Sequence, residues 1–189
     1  MPITFSKHFT PLYFYLAVLI CLVYVAAGQG ISVWNVVLLL GFGFVSWGLI
    51  EYGLHRFVFH YDARSRLGQK LLYHAHISHH ENPEANNRHF ASLLLSTPIA
   101  AAYWLIAWAA TGSWPVASYL FIGMASGYLC YQWLHFQCHH RKSRLRLLRY
   151  LRRYHLLHHY RTPELRFGVT SPLFDLVFGS FRPVVNRSR

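Results

Sequence analysis

The chain has 189 residues, about one domain's worth, and its 54% hydrophobic and 17% aromatic content against 13% charged residues excludes a disordered or low-complexity protein and argues against an ordinary water-soluble globule. Lysine and arginine number 18 against 6 acids, for a net charge of +12, and the long apolar runs make a membrane a better match to that charge than nucleic acid. Cys21, Cys130 and Cys138 form no CxxC pair, which excludes an ordinary iron-sulfur cluster and c-type haem attachment, and their odd number argues against a disulfide framework.

In chain order, the first apolar segment is Pro11 to Ala27. It reads as a retained anchor, because Lys7 is the lone fixed charge before it and Ala26-Ala27-Gly28 is a weak cleavage cue. The second, Ile31 to Leu54, holds one acid, Glu51, near its end. Its Gly41-Phe42-Gly43 follows no strand and lacks the full GxGxxG, so it reads as small residues at a helix contact and not as a dinucleotide loop. Phe90 to Thr111 and Trp114 to Leu134 complete four segments, each near the ~20 residues that a helix needs to cross ~30 Å of hydrocarbon. The short uncharged connections Gly28 to Gly30 and Gly112 to Ser113 make two tight antiparallel hairpins.

All fixed positive charge then falls on one side of the membrane. Lys7 precedes the first segment, Arg56, Arg64, Arg66, Lys70 and Arg88 lie between the second and third, and the rest follow the fourth. The positive-inside rule makes that side cytoplasmic, together with both termini, in a bacterial inner membrane or the endoplasmic reticulum. The cluster Arg141 to Arg153 is also placed to meet anionic headgroups. Tyr150 to Tyr160 reads as a helix stopped near Pro163, and Phe167 to Phe181 as an apolar, turn-rich segment at the interface.

The 14 histidines share that same side. His8 and His89 stand alone and take the bland reading, solvated or hydrogen-bonded side chains. The others cluster. His76, His79 and His80 form HxxHH, which on a helix gives one stripe of neighbours, and His155, His158 and His159 repeat the spacing. His135 and His139 are four apart where the fourth segment leaves the membrane. His55 and His60 are five apart, a spacing that shares no α-helical face, so they converge only if the helix ends between them or they reach different metals. Ten imidazoles exceed the four ligands that close a structural zinc site, which implies two ions with about five ligands each and an open position on each if six-coordinate. Spacing leaves open which histidine serves which ion. A carboxylate-bridged di-iron site would need Glu-x-x-His pairs that six acids cannot supply. A membrane acyl chain offers C–H bonds that no side-chain acid or nucleophile attacks, so a redox metal pair with dioxygen points to hydroxylation or desaturation. Zinc alone is redox-inert.

EYGLHRFVFH from Glu51 to His60, the HxxHH of His76 to His80, His135-x-x-x-His139, and YHLLHHY from Tyr154 to Tyr160 resemble the histidine boxes of the fatty acid hydroxylase and sterol desaturase superfamily. The likeness is greatest to fatty acid 2-hydroxylases, whose last box is followed by a stretch like FGVTS, here Phe167 to Ser171, then Phe174-Asp175 and Val177-Phe178-Gly179. The resemblance covers roughly residues 48 to 181 of a single integral membrane hydroxylase domain, 1–189, with no fused cytochrome. It implies an all-α membrane protein, four transmembrane helices with a cytosolic helical histidine-rich cap holding a dimetal centre. The metal ligands it implies are His55, His60, His76, His79, His80, His135, His139, His155, His158 and His159. It implies two ions, iron expected and zinc able to replace it in a crystal, and oxygen insertion at carbon 2 of a long acyl chain of a lipid or fatty acid with dioxygen as co-substrate.

Relatives often carry an N-terminal b5-type cytochrome; only a short tail precedes the first apolar segment here, so the electron donor is expected as a separate protein, a b5-type cytochrome or a ferredoxin with its reductase. Gln132 stands where many relatives have an Asp before the third-box histidine, which removes a carboxylate that would orient His135 or moves it elsewhere. His74 and His140 are extra to the pattern and are expected behind the ligands or on the surface, and Cys138 as a buried cysteine beside the site. The alternative within enzymes is a desaturase, or a hydroxylase of a sterol, carotenoid or other isoprenoid lipid. A histidine-based membrane metal or haem carrier would put its ligands near the bilayer midplane, where the apolar cores hold no histidine.

Overall fold

A computed structural model describes residues 10–83 and 93–184; Lys7, His8, Arg88, His89 and the start of the third apolar segment lie outside them. Every regular element among the described residues is helical: α1 (Thr10–Ala27), α2 (Val33–Gly53), α3 (Arg66–Leu72), α4 (Ser78–Glu81), α5 (Leu93–Thr111), α6 (Trp114–His140), α7 (Arg146–Tyr160) and α8 (Leu173–Val177). α2 runs on into a π-helical turn, Leu54–Phe59, and α3 into another, Tyr73–Ile77. The chain divides into two compact units, Met1–Trp47 with Asn87–Gln132, and Gly48–Asn86 with Trp133–Arg189.

The first unit is built from the apolar segments. Gly30 and Gly112 turn the chain between α1 and α2 and between α5 and α6 with φ of 70° and 64°, left-handed values that glycine adopts without penalty. Tyr119 and Ile122 of α6 bury against Ala26 of α1, with Leu19, Leu22, Val36 and Leu40 packed around them. The Tyr119 hydroxyl donates to the Ala26 carbonyl at 3.0 Å, which also accepts from the Gln29 N–H at 3.2 Å. Tyr128 takes the edges of Tyr15 and Trp47 at 5.0 and 5.1 Å. α2 and α6 touch backbone to backbone: a side chain at Gly43 would collide with the Leu120 carbonyl, and one at Gly123 with the Leu40 carbonyl. The expected small-residue contact is therefore real at Gly43, whereas Gly41 faces open space and the partner glycines Gly123 and Gly127 form a GxxxG that the sequence reading passed over.

Among the described residues three helical stretches are long and apolar enough to cross a membrane, Thr10–Ala27, Val33–Phe59 and Leu93–Thr111. They present large apolar side chains outward, such as Tyr24, Trp34, Leu38 and Leu94, an extent of exposed hydrocarbon that marks a contact surface. α6 is longer still at 27 residues but differs in composition. Many of its apolar residues, Ala117, Phe121, Met124 and Ala125 among them, are buried, and they alternate with serine, glycine, glutamine and histidine, so the apolar count along it is lower.

In the second unit α7 is strongly two-faced. Leu151, Tyr154, His155, His158 and His159 are buried, while Arg149, Arg153 and Tyr160 are exposed. The segment after it turns at Arg166, which holds φ 63° without being glycine. That strained backbone is fixed from several sides. The Arg166 N–H donates to the Ser180 carbonyl at 3.1 Å, and its guanidinium donates to the Thr162 hydroxyl and the Arg182 carbonyl.

Gly123→Ala is expected to cost about 1–3 kcal/mol by forcing α2 and α6 apart. Thermal unfolding in detergent should show a lowered midpoint for it and an unchanged or slightly raised one for Gly41→Ala, which has no atom within 4 Å to meet.

Candidate metal centre

Ten histidines converge in the second unit as two groups of five. His55, His60, His76, His80 and His158 form one, and His79, His135, His139, His155 and His159 the other, with candidate ligand atoms in each group within 4.8 Å of one another. All ten residues expected from the sequence are thus brought together. The π-helical turn Leu54–Phe59 resolves the His55 and His60 spacing in a way neither expected alternative covered. Its hydrogen bonds reach back five residues, not four, so residues five apart swing toward one face, and the two rings lie 5.2 Å apart in the same group.

The two HxxHH boxes divide by the same rule. In each, the residues four apart stay together, His76 with His80 and His155 with His159, and the middle histidine crosses to the other group. Four residues on an α-helix return to within about 40° of the start, while three fall about 60° short, so the middle ring points aside. His79 therefore joins the α7 pair, and His158 joins His76, in the π-helical turn, and His80, in α4. The groups meet where His80 and His159 stack at 4.1 Å with 13° between planes.

Nitrogen positions fit ions. The Nε2 atoms of His76 and His80 are 2.8 Å apart, those of His80 and His158 3.3 Å, and those of His139 and His155 2.9 Å. Two imidazoles bound at right angles at about 2.1 Å from one ion would have nitrogens about 3 Å apart. Nε2 of His55 and of His60 and both ring nitrogens of His159 are buried with no hydrogen-bond partner. An unsatisfied buried nitrogen costs about 1–3 kcal/mol, a cost that a cation accepting the lone pairs removes. The tautomers suit this arrangement. His55 Nδ1–H donates to the Phe167 carbonyl at 2.5 Å and His158 Nδ1–H to the Leu165 carbonyl at 2.7 Å, which leaves each Nε2 lone pair turned into its group. The clusters can hold metal ions.

Two buried carboxylates hold the segment that offers those carbonyls. Glu51 accepts from the Val169 and Thr170 N–H groups at 2.5 and 2.9 Å and from the Thr170 hydroxyl. Asp175 accepts from the Phe167 and Gly168 N–H groups, both at 2.8 Å, and from Ser180 Oγ at 2.7 Å. Sequence reasoning recorded both acids and missed their work. The available signal was their isolation in apolar surroundings, where a charge persists only with several donors. Gln132 donates to the Tyr128 hydroxyl at 2.9 Å. His74 is exposed, His140 is half-buried against Phe136, and buried Cys138 lies beside His139; all three stay outside both groups.

A family model described as fatty acid hydroxylase matches residues 40–180. The chain is 32% identical over 160 residues to the dihydroceramide fatty acyl 2-hydroxylase FAH2 of Arabidopsis thaliana, covering 82% of this chain and 65% of the relative. It is 38% identical over 143 residues to the ceramide very long chain fatty acid hydroxylase SCS7 of Saccharomyces cerevisiae, covering 74% of this chain and 36% of the relative. A solved structure described as full-length scs7p with only the hydroxylase domain visible superposes with a TM-score of 0.86 at 32% identity, covering 96% of this chain and 69% of that one. The chain thus spans 65% of the plant protein's length and about a third of the yeast one's.

Burial governs the charge state of five of the clustered imidazoles. It pushes His76, His155 and His159 well below the ordinary histidine value, reinforced by the neighbouring imidazoles. Burial and then repulsion from His158 lower His80 to about 2; burial lowers His158 to about 3 against the opposing hydrogen bond to Leu165. These five rings are neutral at pH 7, the form that binds metal. Because the folded values lie below the unfolded value of 6.5, unfolding takes up protons once the pH drops below it. The metal-stripped protein is therefore expected to keep its full stability above about pH 6.5 and to lose it progressively as the pH falls toward 3, read as a falling denaturation midpoint.

Proposed function

The chain belongs to the fatty acid hydroxylase family, and from that premise we propose that it is a membrane-bound oxygenase that hydroxylates a long acyl chain of a lipid or fatty acid at carbon 2. The observation that carries this reading is the pair of five-histidine groups, free of carboxylates and built around converging imidazole nitrogens. We assign one metal ion, iron, to His55, His60, His76, His80 and His158, and a second to His79, His135, His139, His155 and His159. Such a pair, when bound, supplies the activation of dioxygen that an unactivated C–H bond requires. The overall balance is one oxygen atom into the C–H bond and the other into water, with two electrons and two protons delivered by a separate donor protein. Carbon 2 is favoured because the plant relatives are named fatty acyl 2-hydroxylases and the mammalian ones fatty acid 2-hydroxylases.

The protein's own residues prepare this chemistry. The Phe167 and Leu165 carbonyls fix the tautomers of His55 and His158, so that each presents a lone pair and no proton. Glu51 and Asp175 hold those carbonyls still by gripping the backbone on either side. Burial keeps His76, His80 and His155 neutral and excludes water from around them. α1, α2, α5 and α6 serve as four membrane spans. At 27 residues α6 is about 40 Å long, more than the ~30 Å of hydrocarbon, and its excess length would lift His135 and His139 out of the membrane. The lysine and arginine distribution puts that end, and both termini, in the cytoplasm.

The test is lipid mass spectrometry of cells expressing the full chain beside the His158→Ala/His159→Ala variant. The expected result is acyl chains carrying one added oxygen that fragments to the 2-position, absent in the variant. Loss of two hydrogens, or oxygen gained on a sterol or carotenoid, would replace this reading with the desaturase or isoprenoid one.

A further inference from the structure

The face of α7 turned away from its histidines carries a second concentration of chemistry. Lys142, Arg149, Arg152, Arg153 and Arg161 surround a groove of about 620 Å³ that no acidic side chain lines among the described residues. Leu156, Leu157 and Tyr160 give it an apolar floor. Arg152, which also lines the groove, has a buried Nε with no hydrogen-bond partner among the described residues. The approach to the groove has its own pattern. From the residue after α6 ends, the chain reads RKSRLRLLR from Arg141 to Arg149, and Leu145 and Leu147 stand 65% and 66% exposed between the cations.

Cations alone would suit any acidic partner. Exposed leucines interleaved with them suit a bilayer surface, where the aliphatic groups enter the boundary between headgroups and acyl chains while the cations stay with the phosphates. The occupant that matches charge, apolar floor and flanking leucines together is an amphiphile with an anionic head. We propose that this groove seats the phosphate headgroup of an anionic phospholipid and thereby sets the depth at which α7 rides on the membrane. This inference rests on the reading of α6 as a membrane span. It also serves the proposed reaction. Carbon 2 of an acyl chain lies next to the carboxyl carbon, at the edge of the polar region, so the helix that carries His155, His158 and His159 must be held at headgroup depth. A phosphate site on the opposite face of that helix does so directly.

The experiment uses the full chain purified in a neutral detergent and titrated with phosphatidylglycerol or with phosphatidylcholine of the same acyl chains, bound lipid being counted by native mass spectrometry. Lys142→Gln/Arg149→Gln/Arg161→Gln changes three exposed residues that touch neither histidine group, and bound metal is measured alongside. The wild type is expected to prefer phosphatidylglycerol, and the triple variant to bind it about a hundred-fold more weakly, at about five-fold per cation removed, with phosphatidylcholine binding unchanged. Equal affinity for the two lipids, or a preference that survives in the variant, overturns the proposal. So does a variant that keeps its lipid preference while losing affinity for an acidic soluble electron carrier, which would make the groove a protein-docking surface. A chain that prefers the anionic lipid yet binds no metal would remove the oxygenase reading and leave the lipid site standing.

Discussion

Ten imidazoles packed ring against ring, with no carboxylate among them, impose a constraint that the rest of the second unit obeys. Protonated, they would repel one another in a space that excludes water; neutral, they leave buried nitrogens in want of a partner. The arrangement is stable where the rings are neutral, their outer N–H groups are satisfied, and their inner lone pairs share a cation. Each supporting feature answers part of that requirement. The π-helical turn after α2 brings His55 and His60 onto one side, the Leu165 and Phe167 carbonyls satisfy two outer N–H groups, and Glu51 and Asp175 hold the segment that offers those carbonyls.

The exchange of middle histidines ties the two groups into one object. His79 sits at the start of α4 yet belongs with the pair on α7, and His158 sits on α7 yet belongs with the pair that includes His76. Neither group can assemble until both helical segments are in place. On the proposed reading, metal binding and folding of this unit are therefore coupled, so that loss of one ion weakens the other site without emptying it.

Much of this was legible in the sequence because histidine boxes at helical spacing are local patterns. His76 to His80 and His155 to His159 announce shared helical faces, and ten clustered histidines point to more than one ion. The partition between ions was not legible, because it depends on how segments remote in sequence meet. The His55 and His60 pair was misjudged for a different reason: the five-residue spacing was measured against an α-helix, and a π-helical turn has another period. The four apolar segments were readable from composition, with Trp114 to Leu134 the least apolar of them, since α6 is the helix that packs its residues against protein. Glu51 and Asp175 stood in plain view, but most of their partners are backbone N–H groups, which no side-chain pattern reveals.

The central claim is that the ten histidines form two separable metal sites divided as described. Metal content of the purified full chain, measured by inductively coupled plasma mass spectrometry after loading with ferrous iron, addresses it most directly. The account predicts two ions per chain in the wild type, and a single remaining ion both in His76→Ala/His80→Ala and in His155→Ala/His159→Ala. A wild type that holds no stoichiometric metal, or either double variant retaining two ions, would contradict it.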